Sequence, residues 1–346
     1  MLMKVIVGMS GGVDSSVAAY LLKREGFEVY GTYFRLFKGK EEEASRCCDL
    51  NSVVNVGRII GIPIEVIDVA EEFEKNIVQY FIEAYKCGIT PNPCTVCNEK
   101  IKFGLGFEKA VEVFGDSLFA TGHYAIIDRN EEVHLKKGID KLKDQSYMLW
   151  RLKKNQLEKT IFPLGKLTKE QVYQISAELY LPKRKESEDV CFIQGRLIDF
   201  LKKHIPQRIG KIINKKGEIL GKHKGVYFYT IGQRSGLGVS SSVPLYVIGL
   251  DIANNYVTLG EREDCYFKYA EITDTNFIEN WNYETIVLRG KVRYRSEENE
   301  CILKKEGEKI IVEFLTPQFA ITSGQSLVLY KGDTVFGGGV IKQALR

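Results

Sequence analysis

The chain has 346 residues, 44% hydrophobic and 27% charged, with a formal net charge of +4, the make-up of a globular protein of two or three domains. No apolar run approaches the roughly 20 residues needed to span a bilayer, so no membrane-spanning helix is expected. Met1 to Lys4 leads straight into an apolar run with no signal-peptide pattern, so the expected location is the cytoplasm, where eight cysteines read as reduced, catalytic or metal-binding thiols.

In the first half, strand-like and helix-like segments alternate. Strands are predicted at residues 4–8, 29–34, 64–69 and 117–121, and helices at 15–25, 50–60, 71–86 and 100–114. That alternation predicts an α/β fold with a doubly wound parallel sheet, whose ligands sit at the carboxyl ends of the strands. Ser10-Gly11-Gly12-Val13-Asp14-Ser15-Ser16 falls at such an end, between the first strand and the first helix. Gly11 and Gly12 let the backbone bend and approach a ligand closely. The N–H groups of the turn and the helix start lack internal partners, and the helix dipole lies behind them, which suits a pyrophosphate. No Gly-Lys-Ser/Thr follows, so this is not a Walker A turn.

Further along, Thr168 and Gln171 form a capping-box start for a helix reaching about residue 179. A polar loop covers 182–189, and 198–204 makes a short helix that Pro206 stops. Beyond residue 210 the chain turns β-rich. Hairpins are expected around Lys215-Lys216-Gly217 and Asn254-Asn255, and short alternating runs over 271–346 predict a small β-barrel. Basic residues are clustered: 201–240 holds nine Lys/Arg against the single acid Glu218, and 136–154 holds seven against Asp140 and Asp144. Such density reads as a footprint for a polyanion, with a solvated lysine face as the plainer alternative.

The second chemical signal is Pro91-Asn92-Pro93-Cys94-Thr95-Val96-Cys97-Asn98, read as an irregular loop between helices. Its C-x-x-C spacing suits a metal, an iron–sulfur cluster or a redox pair. Cys191, beside Val190, Phe192 and Ile193, reads on composition as a packed core thiol, as do Cys47, Cys48, Cys87, Cys265 and Cys301.

Taken in order, the glycine turn, the Pro-Asn-Pro-x-x-x-Cys-Asn run and Asp189-Val190-Cys191-Phe192-Ile193 closely resemble the bacterial tRNA-specific 2-thiouridylase family of PP-loop ATP pyrophosphatases. The likeness extends along nearly the whole chain, through 120–124, 144–148, 229–234, 291–295 and Gly324-Gln325. It implies a PP-loop domain over 1–205, a small central β-rich domain over 206–268 and a C-terminal barrel over 269–346. It implies that ATP is bound by Gly8, Met9, Ser10, Gly11, Gly12, Val13, Asp14 and Ser15, with Phe34 and Gly122 bounding the adenosine pocket and Mg²⁺ on the phosphates. Asn92, Pro93 and Cys94 would flank the target base. His123, Lys143, Asp144, Gln145, Arg293, Tyr294 and Gln325 would contact tRNA. Cys97 would be the catalytic thiol and Cys191 the persulfide carrier, loaded by a cysteine desulfurase or a sulfur-relay protein.

One position departs from that pattern. The family loop carries an Asp where this chain has Cys94, and a thiol cannot replace a carboxylate without changing the proton chemistry. Cys94, Cys97 and Cys191 would then form a three-thiolate set like those of tRNA thiolases that bind a 4Fe-4S cluster. Two other readings compete with tRNA thiolation: a PP-loop amide or guanidine ligase acting on a small molecule, and a non-enzymatic, metal-containing RNA-binding protein.

Overall fold

A computed structural model of the chain describes residues 2–38, 50–181, 190–281 and 284–346. Cys47, Cys48, most of the polar stretch before residue 50, and the loop 182–189 with Asp189 lie outside the described residues. The chain divides into two compact units. The first holds Met1–Val78, Pro93–Gln194 and Asp333–Phe336; the second holds Gln79–Asn92, Gly195–Gly332 and Gly337–Arg346.

The first unit is built on five parallel strands: β1 (Lys4–Gly8), β2 (Glu28–Arg35), β3 (Ile64–Asp68), β4 (Leu118–Thr121) and, in this sheet, Thr160–Ile161. Their order is β3, β2, β1, β4, Thr160–Ile161, so the direction of winding reverses between β1 and β4. Val5, Ile6 and Val7 are fully buried, as expected for a strand covered by helices on both faces. The helices Val13–Arg24 and Leu50–Ile60 bury Val17, Ala18, Leu21, Leu22, Val53 and Val56 in one core with β1.

Two predicted helices are less regular than their patterns. The stretch from residue 70 runs as Ala70–Phe73, a π-helical Glu74–Gln79 and Tyr80–Lys86. The next starts earlier than expected: Pro93–Cys97 is helical, where the prolines and asparagines predict an irregular loop. Pro93 takes the first helical position, where its missing N–H costs nothing and its fixed φ favours the helix. A π-helical Asn98–Leu105 and the helix Gly106–Phe114 continue it. The antiparallel pair Ala125–Asp128 and His134–Lys137, joined by Thr334 opposite Lys136, is not apparent in the sequence pattern.

In the second unit, Gly210–Asn214 and Ile219–His223 pair across the predicted Lys215-Lys216-Gly217 turn, with Gly217 at φ +83°. Tyr246–Asp251 and Tyr256–Gly260 pair across Asn254-Asn255, and these four strands make one small sheet around Ile212, Val247 and Val257. Six longer strands close a barrel. They run in the order Tyr266–Phe277, Lys309–Phe319, Asn299–Glu306, Thr285–Lys291, Ser326–Lys331 and Thr334–Leu345, and the last pairs back onto the first.

Candidate active site

The glycine turn is fastened from within. Gly11 sits at φ +77°, open to glycine and strained for other residues. Gly12 is the N-cap of Val13–Arg24 and offers no side chain to its N–H groups. Ser10 N–H donates to Ser15 Oγ at 3.2 Å, and the Ser15 and Ser16 hydroxyls donate to Gly12 O at 3.2 and 2.8 Å. The serines thus shape the turn. Met9 N–H extends the β1–β2 pairing to Thr32 O at 2.8 Å, and Met9 and Val13 are buried beneath the turn.

Gly122, just past β4, presses on the helix start. A Cβ there would lie 2.7 Å from Asp14 C and Ser15 N, so only glycine fits. Gly8 faces the Phe119 ring, with a Cβ position 3.1 Å from Cζ. Phe34 is buried at the end of β2 and packs on Phe119 at 6.0 Å between ring centroids. The structure therefore brings Gly8, the turn, Phe34 and Gly122 to the carboxyl ends of β1, β2 and β4.

Asp14 is held by groups that the sequence does not single out. Tyr124 Oη donates to its Oδ1 at 2.7 Å, and Lys169 Nζ reaches Oδ1 at 2.7 Å and Oδ2 at 2.9 Å. Lys169 is only 8% exposed, with its ammonium 5.7 Å from the Tyr124 ring centroid and 4.7 Å from that of Tyr173. It opens the helix Lys169–Glu178, whose predicted Thr168–Gln171 capping box is present.

In the segment expected to meet tRNA, 143–145, Asp144 and Gln145 are half-buried and bonded to neighbouring groups. Asp144 Oδ1 accepts from Gly138 N–H and Ser146 N–H, and Oδ2 accepts from the Ser146 hydroxyl. Gln145 exchanges two hydrogen bonds with the Tyr124 backbone, its Oε1 accepting from Tyr124 N–H and its own N–H donating to Tyr124 O. At least three of the seven cations over 136–154 are likewise committed: Lys136 to Asp128, Arg151 to Glu99 and Lys154 to Glu132. The polyanion footprint of this stretch is weaker than its charge count.

His123 stands between Phe103 and Phe162, 6.0 and 5.9 Å away, with Nδ1 2.7 Å from Thr121 Oγ1. Burial, with Lys102 nearby, pushes its pKa down to about 3, so the ring is neutral at pH 7. A neutral ring there can make hydrogen bonds but carries no charge.

Cys94 and Cys97 lie one helical turn apart on Pro93–Cys97 and so share a face. Cys94 is half-buried, and Cys97 is 7% exposed. Asn98, next in the chain, anchors this helix by donating to Met148 O at 3.0 Å. Cys191 is half-buried in a turn closed by Ile193 N–H to Val190 O. Its neighbour Phe192 packs on Phe73, which packs on Phe37 just beyond β2. Among the described residues, no group of three or more His, Cys, Asp and Glu side chains is placed to hold a metal ion. Cys94, Cys97 and Cys191 are thus not placed as a set of cluster ligands.

Elsewhere, burial pushes the Cys301 thiol up to about 12, and Cys265 is buried with its pKa also raised by burial, as inert core thiols. Cys87 is exposed at the end of Tyr80–Lys86, contrary to the core reading. In the second unit, Arg293 Nη2 donates to Ala320 O at 2.6 Å and Thr322 Oγ1 at 2.7 Å. Gln325 Nε2 donates to Thr90 O at 2.9 Å and to Pro91 O at 3.4 Å. Both residues brace loops. Tyr294 follows the barrel strand Thr285–Lys291, with Lys291 Nζ 5.8 Å from its ring.

A serine-braced glycine turn at the switch point of a parallel sheet, opposite an invading glycine after β4, defines a nucleotide-binding domain of the PP-loop class. Residues 3–195 match the family model described as "tRNA methyl transferase HUP domain", 198–261 the "tRNA methyl transferase PRC-barrel domain" and 268–341 the "Aminomethyltransferase beta-barrel domain". The chain is 44% identical over 360 residues to tRNA-specific 2-thiouridylase MnmA 2 of Thermoanaerobacter sp. (strain X514), covering 99% of both. It is 41% identical over 357 residues to tRNA-specific 2-thiouridylase MnmA of Clostridioides difficile (strain 630), again covering 99% of both. The chain belongs to the tRNA-specific 2-thiouridylase family. Among solved structures, the U34-tRNA thiolase NcsA from Methanococcus maripaludis with its [4Fe-4S] cluster overlaps 55% of this chain and 60% of that one, at 20% identity and a TM-score of 0.36, too loosely to inform the chemistry.

Proposed function

We propose that this protein converts the wobble uridine of tRNA to 2-thiouridine at the expense of ATP. The observation that carries the reading is the preformed anion-binding turn at residues 10–16 in the same compact unit as Cys97 and Cys191. The uridine C2 carbonyl is a poor electrophile with a poor leaving oxygen. Transfer of AMP to O2 expels pyrophosphate and makes that oxygen a good leaving group. The turn N–H groups, fixed in advance, stabilise the phosphate charge without reorganising. Phe34 and Gly122 bound the adenosine, and Asn92, Pro93 and Cys94 flank the base, which must leave its stack to be reached. Mg²⁺ fits poorly as a ligand of Asp14, whose oxygens already accept from Tyr124 and Lys169, so it would enter with the ATP phosphates.

For the sulfur step, the terminal sulfur of a Cys191 persulfide attacks C2 and AMP departs. The Cys97 thiolate then attacks the Cys191 sulfur, leaving C2=S on the base and a Cys97–Cys191 disulfide that an external dithiol reduces. A cysteine desulfurase or relay protein reloads Cys191. A 4Fe-4S cluster on Cys94, Cys97 and Cys191 is the second reading, favoured by the thiol at position 94. The present placement of those thiols does not fit it. His123, Lys143, Asp144, Gln145, Arg293, Tyr294 and Gln325 are the proposed tRNA set, with Asp144, Gln145, Arg293 and Gln325 acting by bracing the loops beside the tRNA.

The test is thiolation of tRNA by the full chain with ATP and a persulfide source, run on iron-reconstituted and iron-free protein. Thiolation by iron-free protein supports the persulfide route. Activity only in brown, iron-loaded protein supports the cluster. ATP–pyrophosphate exchange without tRNA would favour a small-molecule ligase and sink both.

A further inference from the structure

A carboxylate in the first turn of an anion-binding helix is an electrostatic contradiction. Asp14 belongs to the turn whose N–H groups and helix dipole attract phosphates, and its own charge repels them. Lys169, distant in the chain, meets both carboxylate oxygens at 2.7 and 2.9 Å. Its placement is hard to account for locally. A lysine at the first position of a helix faces the positive end of that helix's dipole. Burying an ammonium to 8% exposure is costly unless a counter-charge meets it. Asp14, with the Tyr124 and Tyr173 rings, supplies the compensation. The backbone of Lys169 is fixed as well, its N–H donating to Asp140 Oδ2 at 2.9 Å.

We propose that Lys169 is a positioning residue for ATP: its buried ammonium neutralises and orients the Asp14 carboxylate, so that the turn at 10–16 accepts a triphosphate without repulsion. The inference rests on the nucleotide reading above. Lys169 acts through Asp14 and Tyr124, which also fixes Asp14 Oδ1. Removing the ammonium leaves an uncompensated negative charge beside the phosphates. The penalty must therefore grow with ligand charge, be small for uncharged adenosine, and shrink as salt screens it.

The experiment compares ATP and adenosine binding to the full chain by calorimetry, at low and high salt, for the wild type, Lys169→Met, Lys169→Arg and Asp14→Asn/Lys169→Met. The Met variant should weaken ATP by about tenfold or more and adenosine by less than about twofold, with the ATP gap narrowing at high salt. Lys169→Arg should stay within roughly threefold of wild type for ATP, because it keeps the charge. The double variant should recover most of the ATP affinity lost in Lys169→Met, since it removes the repelling charge too. Equal loss of ATP and adenosine, unchanged ATP affinity, or no recovery in the double variant would each overturn the proposal. A wild-type protein that binds neither ligand would instead sink the nucleotide reading.

Discussion

The nucleotide turn and the thiol segments share one compact unit and differ in how finished they are. At the turn, every serine is committed to holding the backbone, Gly122 fills the space against Asp14, and Lys169 balances its charge. At the thiols, Cys94 and Cys97 sit on one helical face and Cys191 in a separate turn, and they make no ligand set. The contrast follows the two chemistries. Stabilising phosphate charge works best with dipoles fixed before the substrate arrives. A sulfur relay instead needs thiols that meet different partners in succession: a donor, a base and each other.

Removing one thiol should separate the two sites most strongly. Cys97→Ser and Cys191→Ser should each take tRNA thiolation below detection while tRNA affinity stays within about twofold of wild type and ATP affinity is unaffected, because the turn is built without them. Thiolated-nucleoside analysis and filter binding measure the two quantities. Full thiolation by either variant would remove the assigned roles. On the nucleotide side, Gly122→Ala should raise the KM for ATP by roughly tenfold to a hundredfold, matching about 1–3 kcal/mol of overpacking against backbone that cannot yield. The clash is with Asp14 C and Ser15 N at 2.7 Å. An unchanged KM would mean that the turn is softer than its hydrogen bonds imply.

A third test uses pH. His123 is neutral in the folded chain, with its pKa pushed down to about 3 by burial and by Lys102, against 6.5 for the ordinary side chain. Below pH 6.5 the unfolded chain binds a proton that the folded chain refuses. Folding stability from this residue is therefore complete above pH 6.5 and declines as pH falls toward about 3. Urea unfolding across that range should show a shallower acid limb for His123→Asn. An identical limb would mean that the imidazole is hydrated and free to charge, and thus able to meet tRNA as a cation.

The turn was legible because its chemistry is local. Two glycines between an apolar run and a helix start leave few other uses, and the Thr168–Gln171 capping box is also local and present. What escaped depends on distant partners. Lys169 looks like one more lysine at the start of a polar helix until the fold brings Asp14 to it. Asp144 and Arg293 look like free surface charges until the fold shows loop N–H groups and carbonyls bonded to them. The Pro93–Cys97 helix hid behind prolines and asparagines that suit a loop equally well, and Cys87 is exposed where an isolated cysteine suggests core. Residue type reports chemistry at short range, whereas tertiary packing decides whether a charge faces solvent.

The smallest effect bears on the thiol side. Gln325 donates to Thr90 O and Pro91 O, directly before Asn92, and Ser323 O accepts from Thr90 N–H at 3.0 Å. Gly324, at φ +89°, allows this approach, since a Cβ there would lie 2.3 Å from Ile89 Cγ2. Gln325 thus braces the loop, while the family resemblance assigns it to tRNA. The two roles separate in Gln325→Ala. A brace predicts a loss of about 1 kcal/mol in thermal stability, a lower kcat for thiolation, and a tRNA Kd within about twofold of wild type. A direct contact predicts unchanged melting and a tRNA Kd raised by roughly fivefold or more. We expect the first pattern, because both acceptors are backbone carbonyls that need a donor once turned inward, and the loop they belong to leads into the helix that carries Cys94 and Cys97.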